Sequence, residues 1–133
     1  MILLDTHVLV WLDEGSSRLG KKALKEIDMA LGKEELAVSA ISFWEVAMLV
    51  RKGRIDVQGE VDVWRRELLD KGVREIPLHG GMAIRAGQLQ DFQGDPADRL
   101  IVATALETSA SLVTADERIL AWRKLARKIN ATQ

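Results

Sequence analysis

Asp5, Glu45, Asp98 and Asp116 are the residues best suited to chemistry, because each lies where the sequence is otherwise most apolar. Asp5 ends Ile2-Leu3-Leu4, and Glu45 interrupts the run from Phe43 to Val50. Asp98 opens the run Leu100-Ile101-Val102-Ala103, and Asp116 follows Leu112-Val113-Thr114-Ala115. Carboxylates are seldom fully buried unless they are paired or hold a cation. Two unit charges about 4 Å apart repel by about 4 kcal/mol at an effective dielectric of about 20. Four acids gathered in one place must therefore bind cations or hold protons. All-oxygen ligation suits Mg²⁺ or Mn²⁺ far better than Zn²⁺.

The elements that would position these acids alternate along the chain. Short apolar runs predict strands at Ile2–Asp5, Leu36–Val38, Val73–Leu78 and Ser111–Thr114, with a short edge strand over Arg127–Asn130. Helical spacing and glycine stops predict helices over Arg18–Leu31, Ile41–Lys52, Glu60–Lys71, Gly81–Gln90, Pro96–Thr108 and Glu117–Ala126. Strands separated by helices need crossover connections, so the expected fold is α/β: three layers around a mainly parallel sheet of four to five strands. Without repeats, low-complexity tracts or long linkers, residues 1–133 read as a single domain. Asp5 and Asp116 lie just past strand ends and Glu45 and Asp98 near helix starts, so all four reach the rim of the sheet where such folds bind ligands.

Each acid also has a structural alternative. Ser42-Phe43-Trp44-Glu45 matches a capping box, in which Glu45 would bond a backbone N–H. Asp95-Pro96-Ala97-Asp98 reads as a helix start, with Asp95 as N-cap and Asp98 in the first turn. Thr114 or Asp116 could begin the last helix. Asp5 has the weakest local explanation, since nothing nearby calls for a charge after a buried strand. The two histidines say less: His7 could touch the site, and His79 reads as a loop residue. Trp44 and Trp64 are assigned to the core.

Composition bounds the rest. The 133 residues are 47% hydrophobic and 29% charged, which suits a folded globule. Absence of cysteine excludes disulfides and thiolate metal sites, in keeping with a reducing cytoplasm. The N-terminus is read as carrying no signal peptide, and no apolar run predicts a membrane span. Net charge is −1, but Arg118, Arg123, Lys124, Arg127 and Lys128 come without an acid among them after Arg118. Such a stretch is either a solvated face or an attractor of phosphates.

Taken together, these motifs resemble the PIN-domain ribonucleases of the VapC toxin type. The resemblance rests on Leu3-Leu4-Asp5-Thr6-His7, Ser39 to Ala47, Gly94 to Ala105, and Leu112 to Leu120. It implies sheet order 3-2-1-4-5 and an acidic quartet at Asp5, Glu45, Asp98 and Asp116, with the Thr114 hydroxyl positioning metal or water. It also implies RNA as substrate, Mg²⁺ or Mn²⁺ as cofactor, a cognate antitoxin as partner, and a homodimer. Asp5, Asp98 and Asp116 would be ligands, and Glu45 a ligand or a base. Gln93 stands where many relatives carry histidine, which leaves the role of that position open. Arg99 is either near the site or structural. The rival readings are an RNA-processing nuclease without a toxin role, an idle PIN-like interaction domain, a phosphatase of another α/β type, or a small-molecule binder.

Overall fold

The computed structural model describes residues 1–133. Its elements are β1 (Ile2–Leu4), α1 (Thr6–Glu14), α2 (Lys21–Gly32), β2 (Leu36–Ser39), α3 (Ala40–Arg51), α4 (Val61–Asp70), β3 (Arg74–Ile76), α5 (Gly80–Gln88), α6 (Pro96–Thr108), β4 (Ser111–Thr114), α7 (Glu117–Ala121) and β5 (Lys128–Asn130). The sheet order is β3-β2-β1-β4-β5, and every pairing is parallel. No helix is long and apolar enough to cross a membrane.

Alternation along the strands divides the core in two. Leu4, Leu36, Val38 and Val113 join Val8, Leu9, Ala23, Ile27 and Trp64, from α1, α2 and α4, on one face. Leu3, Ala37 and Leu112 join Ile101, Val102, Ile119 and Trp122 on the other. A strand buried on both faces reads as an unbroken apolar run, which is why Ile2-Leu3-Leu4 and Ser111-Leu112-Val113-Thr114 are legible as strands.

Three departures from the expected elements have physical causes. Helix α1 is absent from the sequence reading. Its Val8, Leu9 and Val10 are all buried, so no polar stripe marks it as helical. Its boundaries lie in its caps: the Asp5 side chain accepts from the Thr6 N–H, and Gly15 ends it at φ 66°. Helix α7 stops at Ala121 because Trp122 turns extended, with its indole N–H donating to the Gln90 carbonyl at 3.0 Å. Strand β3 stops before Pro77, which has no N–H to give a ladder. Trp64 is core, but Trp44 is 57% exposed, which corrects its assignment. It lies two residues from both Ser42 and Val46, the buried positions of α3, and so faces the opposite side of that helix.

Arg99 is structural. Its guanidinium donates to the carbonyls of Ala86 at 2.9 Å, Phe92 at 2.8 Å and Leu89 at 2.9 Å. It thereby ties the end of α5 and the following loop to the start of α6. In that loop Gly94 is required by contact, since a Cβ there would meet the Phe92 ring at 2.7 Å and Asp98 Cβ at 3.1 Å. Arg99→Ala is expected to cost about 2 kcal/mol, because it strands several partly buried carbonyls. Arg99→Lys should restore little of this, having no planar fork. Urea denaturation of the three proteins checks it.

Candidate active site

Parallel register brings the first acid to its main partner. Leu4 pairs with Val113, so the residues following them, Asp5 and Thr114, sit side by side at the strand ends. The Thr114 hydroxyl donates to Asp5 Oδ2 at 2.6 Å and accepts from the Asp116 N–H at 3.0 Å. Asp5 Oδ1 accepts from the Thr6 N–H at 2.9 Å. Asp5 is only 2% exposed, so these donors answer its burial. As N-cap of α1 it also has the local structural role that the sequence reading did not find for it.

Glu45 arrives from α3, which starts at Ala40 with Ser39 as its N-cap. Ser42 therefore lies inside the helix, and the capping-box alternative is overturned. Glu45 Oε1 instead accepts from the Thr6 hydroxyl at 2.5 Å, and Ser42 Oγ lies 2.9 Å from that hydroxyl. A hydroxyl has one proton, so Thr6 donates to Glu45 and accepts from Ser42. Burial raises the Glu45 carboxyl above its ordinary range; the Thr6 bond opposes this, and Asp5 and Asp95 add to it.

Asp95 is the N-cap of α6, accepting from the Asp98 N–H at 2.8 Å, as the sequence predicts. This leaves the Asp98 carboxylate free to face the other acids. Burial first, then Asp95, Asp5, Asp116 and Glu45, push Asp98 up to about 7. Asp116 caps α7 by accepting from the Arg118 N–H at 2.8 Å. Burial pushes Asp116 upward, but side-chain and backbone bonds from Arg118 outweigh it and hold the group below the ordinary range.

Two residues complete the arrangement. The Arg118 guanidinium bridges acids, with Nη2 3.0 Å from Asp116 Oδ2 and 3.3 Å from Asp98 Oδ2. Its longer contact to Asp98 does not offset burial and four acidic neighbours. Sequence reading placed Arg118 only in a basic stretch; its spacing two residues after a capping Asp was the available signal. His7 Nε2 accepts from the Ala115 N–H at 3.2 Å, which puts the imidazole proton on Nδ1, 3.7 Å from Asp5 Oδ2. The four acids thus border one rim without closing into a ready cage of three ligands.

The raised Asp98 has a consequence for stability. Between about 3.8 and about 7 the folded protein keeps a proton that the unfolded chain has lost. Its contribution is therefore present at low pH and lost as pH rises through that window. In EDTA, the melting temperature of Asp98→Asn minus that of wild type should grow from pH 5 to pH 8. The corresponding difference in unfolding free energy should reach about 1 kcal/mol once solvent screening is discounted. A flat difference would show that Asp98 titrates normally.

The PIN domain family model matches residues 2–128. The chain is 41% identical over 123 residues to ribonuclease VapC22 of Mycobacterium tuberculosis, covering 92% of each protein. Among solved structures, VapBC2 from Rickettsia felis bound to a promoter DNA fragment matches with a TM-score of 0.70 and 18% identity, over 98% of this chain and 100% of that one. A toxin–antitoxin complex from Klebsiella pneumoniae matches with a TM-score of 0.68 and 20% identity, covering 98% of each chain. These two structures share the fold. The family-model match over residues 2–128 and the 41% identical relative make this chain a member of the PIN-domain family.

Proposed function

We propose that this chain is an endoribonuclease toxin that hydrolyses RNA phosphodiester bonds at the rim bounded by Asp5, Glu45, Asp98 and Asp116. The observation that carries this reading is the meeting of acids from four segments around one mouth, with the Arg118 guanidinium lodged on two of them. The donor set fits a hard divalent cation: it is all carboxylate, its members raise one another's pKa, and two of them already hold a positive group. Asp5, Asp98 and Asp116 would hold Mg²⁺ or Mn²⁺, with Glu45 beside them. When bound, such a cation lowers the pKa of water and neutralises charge on the phosphate.

The chain's own residues supply orientation and proton handling. Thr114 fixes Asp5 Oδ2 and the Asp116 backbone in one contact. Thr6 aims Glu45, whose raised pKa suits a group that takes a proton from the attacking water and returns it. His7 accepts from the Ala115 N–H and so ties the helix that follows Asp5 to the end of the neighbouring strand. A cavity of about 770 Å³ runs from Asp5, Glu45 and Asp98 past Trp11 to Arg54. Its acidic inner end suits a basic side chain of a cognate antitoxin. Trp44 and Ile84, the most exposed of the large apolar side chains, would each be covered in a homodimer.

Purified chain, freed of any partner, is expected to cut single-stranded RNA with Mg²⁺ or Mn²⁺ and to stop in EDTA. Products should carry 5′-phosphate and 3′-hydroxyl ends. Asp5→Asn and Asp98→Asn should each lower kcat by at least about 100-fold. Cleavage that survives EDTA or both substitutions, or that leaves 2′,3′-cyclic phosphate, sinks the reading. Arg118→Met removes the resident positive charge from Asp98 and Asp116. Mn²⁺ titration followed by electron paramagnetic resonance should then show tighter binding, by about threefold or more. Weaker binding would mean that Arg118 organises the acids for the ion rather than competing with it.

A further inference from the structure

A second cavity, of about 560 Å³, opens beside the acidic rim and shares Arg118 with it. Arg118, Arg123 and Lys124 line it, and Asp91 is its one acid. That acid is 89% exposed and reaches Lys124 only at 3.9 Å. Arg123 has no hydrogen-bond or ion-pair partner within the chain, and both Arg123 and Lys124 are exposed. The neighbouring cations of the same stretch are differently employed: Arg127 donates to the Ser109 carbonyl at 2.9 Å and Lys128 to the Trp122 carbonyl at 2.7 Å. The basic run thus divides into residues that brace the fold and residues that border this cavity.

The floor is apolar and closely packed. Phe92 and Trp122 pack with ring centroids 5.4 Å apart, at 5% and 7% exposure. Rings so deeply packed have no free face on which a base could stack. Cationic walls over such a floor suit backbone phosphate, which positions a strand without reading its sequence. The larger cavity on the other side of the acids carries Arg18 and Arg54, but the carboxylates of Asp5, Glu14, Glu45, Asp56 and Asp98 outnumber them, so its balance is acidic and disfavours a phosphate chain.

Resting on the nuclease reading above, we propose that the cavity bordered by Arg118, Arg123 and Lys124 is a phosphate subsite. It would hold the RNA backbone adjacent to the scissile bond and set the direction in which the strand crosses the acids. Arg118 links the two sites, since one guanidinium borders the cavity and touches Asp98 and Asp116.

The test is the double variant Arg123→Gln/Lys124→Gln, with Lys33→Gln/Lys71→Gln as the charge-matched control. Lys33 and Lys71 follow helices that lead into strands, and so lie toward the starts of the strands, away from the rim at their ends. Binding of a short fluorescein-labelled single-stranded RNA is measured by anisotropy over a salt series, in the Asp5→Asn background to prevent cleavage. Steady-state cleavage is measured without that background. The double variant should weaken binding about 10-fold and make the slope of log K against log salt shallower by about 1. It should raise KM while kcat stays within about twofold, and the control should match wild type. An unchanged slope, or an equal change in the control, overturns the subsite and leaves the nuclease reading standing if wild type still cuts RNA. Wild type that neither binds nor cuts RNA overturns both.

Discussion

A carboxylate buried at the end of a strand imposes a demand on everything around it. Asp5 is 2% exposed, and its oxygens must be met by donors that a parallel sheet does not automatically provide. One donor is the first N–H of the helix that begins at once. Another is the Thr114 hydroxyl, delivered by the pairing of β1 with β4. The same threonine bonds the Asp116 N–H, so the fourth acid is located by the donor that satisfies the first. Thr6 does the equivalent for Glu45. The site is therefore built from second contacts of residues whose first duty is to neutralise the cost of burial.

Like charge is the opposing term. Asp98 pushed to about 7 and the raised Glu45 record first their burial and then the disfavour that neighbouring acids add to ionisation. Asp116 escapes because it has captured Arg118. The unequal protonation tendencies of three neighbouring carboxylates follow from how closely each engages Arg118: Asp116 through side-chain and backbone bonds, Asp98 only through the longer 3.3 Å contact, and Glu45 not at all.

Much of this was legible in the sequence because strands buried on both faces show as apolar runs, and an acid inside such a run stands out. Sheet order came with the resemblance to VapC-type proteins, and the Asp95 cap from local chemistry. What sequence could not give followed from contacts made across the chain. The capping-box motif at Ser42 and Glu45 was a coincidence of spacing, since the helix had already begun at Ala40. Helix α1 was hidden because burial on most sides removes periodicity, and its only local marks were the two caps. The bridging role of Arg118 depends on α6 and α7 meeting at the rim, which no local pattern encodes.

The hydrogen bond between Thr114 and Asp5 spans 109 positions of chain. Synthesis proceeds from the N-terminus, so Asp5 emerges long before the strand that completes its surroundings. Until β4 has left the ribosome and inserted beside β1, Asp5 lacks its hydroxyl donor and Asp116 does not yet exist in the rim. A chain that lacks β4 therefore lacks both the hydroxyl that meets Asp5 and the acid that follows it, so the rim is completed by the late-made strand.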